Sequence, residues 1–366
     1  MNKTIRNSNF ELMRILCIVF IIAYHYALHA CSGTLSSKVG SPSLTGLIIN
    51  LLSSWQWVGN YGFVAISSYF LCRKTNFKSK KLIYLYLQTI FYCIIFTAGY
   101  VVFIGKNSLS FAFQELSTPL NDQYWFLTSY IIFYLISPLL YKAANAVSLK
   151  QLKGFCILFP FILVFFSNQG GNLIFFCYIY FLVALVNRTE QSHIKQHCRK
   201  LLAGTTLIIT IVLIIIYYWS RRGASALIIQ TLLKINVMLS LLDAIWMLYC
   251  FERIHLSPNS FINTLGKSIF GIYIIHENYI MYSSDISSSG TLLWDKILGT
   301  VRFTDSPLII LHMVISVIVV FAVCCCIDII RAELLEKRLV SKIKLIDTIC
   351  AKFDRFYSGE TSKEAQ

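Results

Sequence analysis

Ten apolar stretches are read as spans of a bilayer's hydrocarbon core, about 30 Å thick: residues 10–31, 47–71, 82–104, 124–141, 155–167, 173–187, 201–219, 226–250, 265–282 and 308–330, of which 155–167 and 173–187 are short and need their flanks or form a tight hairpin. Between them lie short polar connections, and none of the stretches shows the period-2 alternation of a half-buried strand. The pattern predicts an all-α membrane protein, a bundle of about ten transmembrane helices spanning residues 1–332. A tail over 333–366 follows. Leu334, Leu335, Leu339, Ile343, Leu345 and Ile346 alternate there with charges, which predicts an amphipathic helix at a membrane surface, and the last nine residues are small and polar.

The first stretch departs from the pattern in a telling way. Glu11, Arg14 and His25 interrupt an otherwise apolar run. On a helix, positions 14 and 25 lie about 20° from eclipse and about 16 Å apart along the axis, with Glu11 within about 60° of the same strip. Ionisable side chains inside a hydrophobic span are costly, and they mark function by default. A second reading also stands: Glu11 and Arg14 have the i,i+3 spacing of a structural ion pair, and a helix-end histidine serves as an interfacial residue. Lys3 and Arg6 precede the run, as in a signal peptide. The charges within it and the nine spans after it instead mark it as the first helix of the mature protein.

Composition agrees with the pattern. The chain has 57% hydrophobic and 13% charged residues, more apolar surface than one soluble core hides. Its net charge of +15 would suggest nucleic acid in a soluble protein. Here the distribution explains it: with the N-terminus inside, 23 of the 32 Lys and Arg fall in the arm, the loops and the tail of one side, against 6 in the loops of the other. That bias predicts both termini in the cytoplasm, and a nucleic-acid partner is not needed. The twelve cysteines fall mostly within spans, where a thiol packs as a small apolar group, so no disulfide framework is expected. His25 and His29 have an i,i+4 spacing suited to a metal, but no carboxylate stands near them in sequence and Cys31 does not continue the spacing, so no metal is expected. Lys234 and Asp243 lie in one span and are expected as a packed polar pair or pore lining.

Four blocks in order carry a resemblance. Phe10-Glu11-Leu12-Met13-Arg14 with His25 gives Arg, ten residues, His. Phe63 to Leu71 ends in Ser67-Ser68-Tyr69-Phe70 and is followed by Arg73-Lys74. Gln123-Tyr124-Trp125-Phe126-Leu127 leads a span that continues through Ile136-Ser137-Pro138. Ser268 to Asn278 contains His276-Glu277. Together these are similar to the bacterial integral-membrane acyltransferases of the type 3 family, which modify cell-surface carbohydrates. Ser68 stands where the family usually has Gly, and Glu277 where many relatives carry Pro, a variant that resembles the subgroup of capsule and exopolysaccharide clusters.

The resemblance implies a bacterial plasma-membrane enzyme that transfers an acyl group, most simply acetyl, from acetyl-CoA to a hydroxyl of a surface polysaccharide or its lipid-linked precursor. It implies His25 as the catalytic residue, with Arg14 and Glu11 beside it. Imidazole is the side chain best matched to removing a hydroxyl proton near neutral pH. Arg14 is placed to hold a phosphate or the acyl oxygen. Arg73 and Lys74 are candidates for the CoA phosphates or an ordinary positive-inside loop. Tyr124 and Trp125 are candidates for stacking on a sugar or an interfacial belt. His276 and Glu277 are candidates for the acceptor side or a helix cap. His29, about 40° round the helix from His25, has no counterpart in the signature and is expected to be dispensable. The competing class is a polysaccharide transporter or flippase, which would line a path with the same charges.

Overall fold

The computed structural model describes residues 7–33, 35, 43–73, 77–104, 122–166, 171–189, 193–283, 290–336 and 344–358. Among these the regular structure is helical throughout. The helices are α1 (Ser8–His29), α2 (Leu44–Ser53), α3 (Gln56–Leu71), α4 (Ser79–Ile104), α5 (Trp125–Ala146), α6 (Leu149–Phe166), α7 (Gly171–Arg188), α8 (His193–Arg221), α9 (Ala226–Glu252), α10 (Ser260–Lys267), α11 (Ile269–His276), α12 (Tyr279–Tyr282), α13 (Ile309–Arg331) and α14 (Lys344–Ser358). Six of them, α1, α4, α5, α8, α9 and α13, are long and apolar enough to cross a membrane. The remaining apolar segments are helical in pieces of 4 to 18 residues.

Two segments expected as continuous helices are broken. The 47–71 run divides between α2 and α3, where the hydroxyls of Ser53 and Ser54 turn back onto the Asn50 carbonyl at 3.1 and 2.5 Å. Such back-bonding takes a carbonyl away from the helix ladder. The 265–282 run divides into α10, α11 and α12, with Ser268 at the first junction and Glu277-Asn278 at the second. Irregular backbone at membrane depth survives where it is buried in protein or lines a watery cavity, and the second junction does so.

Helix α1 is the axis of the bundle: α2, α3, α9, α10, α11 and α13 all pack against it. Buried side chains lie all around it. Phe10, Met13 and Cys17 belong to a core shared with α3, α5, α7 and α9, whereas Ile18, Ile21, Ile22 and Tyr26 belong to one shared with α4, α11 and α13. Lipid offers no hydrophobic drive for helices to associate, so close backbone approach at small residues supplies the packing. At Gly59 of α3 a Cβ would stand 2.6 Å from the Cys17 carbonyl of α1, so any larger residue would push these helices apart.

The far end of α1 is pinned by a carboxylate. Asp295 accepts the backbone N–H groups of Cys31 at 2.6 Å, Ser32 at 2.9 Å and Thr291 at 2.9 Å. Cys31 and Ser32 adopt φ of 56° and 57°, left-handed values that L residues hold only when their surroundings impose them. One turn earlier, His312 donates Nε2–H to the Leu298 carbonyl at 2.9 Å, so its Nδ1 accepts from the Tyr26 hydroxyl at 2.8 Å. The exit of α1 is thus tied to α13 and to the turns at 291–303.

The tail helix α14 docks at the other end. Asp354 accepts from the Ser79 backbone N–H at 2.8 Å and so caps α4, and Asp347 pairs with Lys80 at 2.5 Å. Phe77 packs against the rings of Phe353 and Tyr357. Ile349 and Phe353 also keep substantial exposure, as an amphipathic surface helix would. Residues 359–366, expected as a polar end, lie outside the described residues.

Candidate functional site

Two cavities lie end to end along one side of α1. The smaller, about 230 Å³, is lined by Arg14, Asn60, Ser67, Lys81, Tyr130 and Lys267 among apolar residues. The larger, about 700 Å³, is lined by His25, His29, Gln56, Trp57, Trp125 and Glu277 among others. Ile21, Asn60, Phe126 and Tyr273 wall both, so Arg14 and His25 face two adjoining cavities.

At the Arg14 end, Nη1 of Arg14 donates to Oε1 of Glu11 at 2.5 Å. Glu11 is buried against α10, and Gly266 is what admits it: a Cβ there would lie 2.2 Å from Glu11 Oε2 and 2.8 Å from its Cβ. The ion pair therefore fixes the guanidinium rather than neutralising the cavity. Lys81 donates to the Tyr130 hydroxyl at 2.8 Å, and that hydroxyl lies 3.0 Å from Ser67 Oγ. With Lys267 also in the wall, three cations border this space, and the one carboxylate, paired with Arg14, leaves them in excess. An excess of positive charge in a partly dehydrated cavity suits an anion.

At the His25 end the hydrogen bonds determine a tautomer. His276, at the last turn of α11 and fully buried, places Nδ1 2.6 Å from the Ile272 carbonyl. A carbonyl only accepts, so that nitrogen carries the proton, and Nε2 of neutral His276 is an acceptor. His25 Nδ1 lies 2.9 Å from this acceptor and 2.9 Å from Glu277 Oε2. Facing two acceptors, Nδ1 of His25 must bear its proton, which leaves the lone pair on Nε2. Among the described residues no hydrogen bond engages that Nε2, and His25 forms part of the larger cavity's wall. The arrangement suits an imidazole base: its protonated nitrogen is hydrogen-bonded to His276, and the Glu277 carboxylate lies 2.9 Å away as a charge partner rather than as the hydrogen-bond acceptor.

The structure distributes the expected residues unevenly. Arg14, Glu11, His25, Trp125 and Glu277 are where the sequence places them, on or beside the two cavities. His276 stands behind His25 and is not in the larger cavity's wall. Tyr124, a candidate stacking face, is completely buried. Its hydroxyl donates to the Ile274 carbonyl at 3.1 Å and accepts from Asn278 Nδ2 at 3.1 Å, so it holds the break between α11 and α12 in place. Arg73 stacks on Tyr69, bonds its hydroxyl and pairs with Glu252 at 3.3 Å, away from the Arg14 cavity. Lys74 lies outside the described residues. The cations that do border that cavity, Lys81 and Lys267, carried no distinguishing signal beyond a basic loop and a span end.

His29, expected to be dispensable, lies against the same carboxylate as His25. Its Nε2 lies 3.3 Å from Glu277 Oε1 and its ring stacks on Tyr282 with centroids 4.5 Å apart. The carboxylate that the pair His25 and His29 lacked in sequence is thus supplied by Glu277, and the three ligand-type atoms lie within 4.8 Å of one another. A divalent cation would fit such a group. The short contact from His25 Nδ1 to His276 favours a hydrogen-bonded acid–base unit instead.

Asp243, expected beside Lys234, turns to α8: both Thr205 and Thr206 donate to it.

Comparison with known proteins gives one match. The acyltransferase type 3 family model, described as an acyltransferase domain, matches residues 7–329. No curated protein and no solved structure matches the chain.

Proposed function

The chain belongs to the acyltransferase type 3 family, and we propose that this membrane acyltransferase moves an acetyl group from acetyl-CoA to a hydroxyl of a cell-surface polysaccharide or its lipid-linked precursor. The observation that carries the reading is the His25 tautomer, a lone pair on Nε2 at a roomy cavity with Glu277 against Nδ1.

In this reading the acceptor hydroxyl sits in the larger cavity, where Trp57 and Trp125 offer aromatic faces and Gln56 and Asn60 offer amides. The thioester approaches from the smaller cavity, with the phosphates of CoA toward Arg14, Lys81 and Lys267. The roughly 16 Å of helix between Arg14 and His25 is a span that an extended pantetheine arm covers. His25 Nε2 takes the hydroxyl proton as the oxygen attacks the thioester carbon. The C–O bond forms, the C–S bond breaks, and the departing thiolate takes the proton back from the imidazolium. Glu277 stabilises that imidazolium while it lasts, and no metal has a step to perform. The positive-inside bias supports placing the Arg14 end and both termini on the cytoplasmic side of a bacterial plasma membrane, where acetyl-CoA is made.

The test uses radiolabelled acetyl-CoA and membranes containing the glycan. Wild-type protein should leave label on the glycan, and His25→Ala in protein that still inserts should lose about 10²–10⁴-fold in rate, the usual worth of a general base. A wild-type protein that translocates the glycan without labelling it would replace this reading with a transporter.

A further inference from the structure

The carboxylate of Glu277 meets two different turns of one helix, by a hydrogen bond at Oε1 and a close charge contact at Oε2. Oε2 faces His25 and Oε1 faces His29, one turn further along α1. Glu277 itself caps the end of α11 at the broken junction, its backbone N–H bonded to the Tyr273 carbonyl at 3.2 Å while its side chain extends beyond the helix. Its side chain has three rotatable bonds, so contact with His25 alone would leave the carboxylate free to pivot about that contact. His29 removes the freedom. For its Nε2 to approach a carboxylate oxygen favourably that nitrogen must carry hydrogen, because two lone pairs repel. Stacking on Tyr282 at an interplanar angle of 22° sets the ring's orientation.

We propose that His29 is a positioning residue of acyl transfer: it donates Nε2–H to Glu277 Oε1 and so keeps Oε2 against Nδ1 of the catalytic His25. The inference rests on the reading of His25 as the base. It assigns a role to a residue outside the Arg, ten residues, His spacing, through a partner 248 positions away in the chain.

Because His29 acts through Glu277, its loss should lower kcat and leave the Michaelis constants of both substrates in place. Two substitutions separate its parts. His29→Phe keeps a ring to stack on Tyr282 and removes the donor; kcat should fall roughly tenfold, the scale of one charge-assisted hydrogen bond. His29→Gln removes the ring and restores an N–H near the position of Nε2; it should recover most of the lost kcat. Both are measured in detergent-purified, reconstituted full-length protein with labelled acetyl-CoA, after matching of elution profile and thermal transition to wild type. Wild-type kcat in His29→Phe, failure of Gln to recover more than Phe, or a raised acceptor KM at unchanged kcat would each overturn the proposal. If only one variant folds, its kcat alone decides: an unimpaired Phe variant or a Gln variant as poor as His25→Ala refutes it. A wild-type protein that transfers no acetyl group would instead sink the acyltransferase reading of the site.

Discussion

Replacing Glu277 by Gln keeps the shape of the side chain and removes its charge, which isolates what the carboxylate does for His25. In the resting state the consequence is small, since Nδ1 of His25 still has His276 as an acceptor 2.9 Å away. In the transition state it is not. As Nε2 takes the acceptor's proton the ring becomes cationic beside a carboxylate whose oxygen is 2.9 Å from Nδ1. Taking the charge centres as about 4 Å apart and an effective dielectric of about 20, the full ion pair is worth about 4 kcal/mol. A proton half transferred realises about 2 kcal/mol of this, or about 30-fold in rate. The expected outcome for Glu277→Gln is therefore a kcat about 30-fold below wild type, with His25→Ala lower still. The double variant should be no worse than His25→Ala, because the carboxylate acts only through the imidazole. Single-turnover transfer of labelled acetyl from a preformed donor complex measures the chemical step directly. A Gln variant at wild-type rate would refute the reasoning and leave His276 as the group that orients the base; so would additive losses in the double variant.

Arg14→Ala should raise the KM for acetyl-CoA, with Lys restoring only part of it because a point charge replaces the planar fork that Glu11 holds; competition by free CoA checks this, and an unchanged KM would leave Arg14 a structural charge. Gly266→Ala places a methyl group 2.2 Å from Glu11 Oε2, so Glu11 must shift. Stability should fall by about 1–3 kcal/mol, as overpacking of a full core does, and the donor KM should rise with it; denaturant titration of the reconstituted protein gives the first and steady-state kinetics the second. Cysteine labelling from the two sides of sealed vesicles should find residues 77–81 and 344–358 on the side of the acyl donor and residues 290–303 on the other, and a tail labelled from outside would exchange the two sides of the reaction.

What was legible in the sequence was whatever a single helix decides. Glu11, Arg14 and His25 share a face because 3.6 residues make a turn, and that arithmetic holds whatever α1 packs against. The apolar runs likewise announce helices, since lipid permits little else. The breaks at Ser54-Trp55 and Glu277-Asn278 were hidden because hydropathy does not register a hydroxyl that turns back on a carbonyl or a short segment whose polar groups are satisfied from another helix. Tyr124 shows the second case: at the head of an apolar run it reads as an interfacial ring, yet its hydroxyl ties Ile274 to Asn278.

Pairings between elements were illegible for the same reason. Arg73 belongs to a run of five cations whose local density does not say which of them faces inward; its anchor, Glu252, is 179 positions away. Asp243 and Lys234 lie in one span, but nine residues carry them about 180° apart round the helix, and the hydroxyls on α8 offer the carboxylate donors at hydrogen-bond distance. Glu277 carries the argument furthest. Read alone it is a helix-end carboxylate; set beside α1 by the break after α11, it turns two histidines four residues apart from a metal-like spacing into a base and its brace. In the proposed mechanism the chemistry depends on this irregular junction, so substitutions that straighten 276–279 should lower acyl transfer even where His25, His29 and Glu277 are kept.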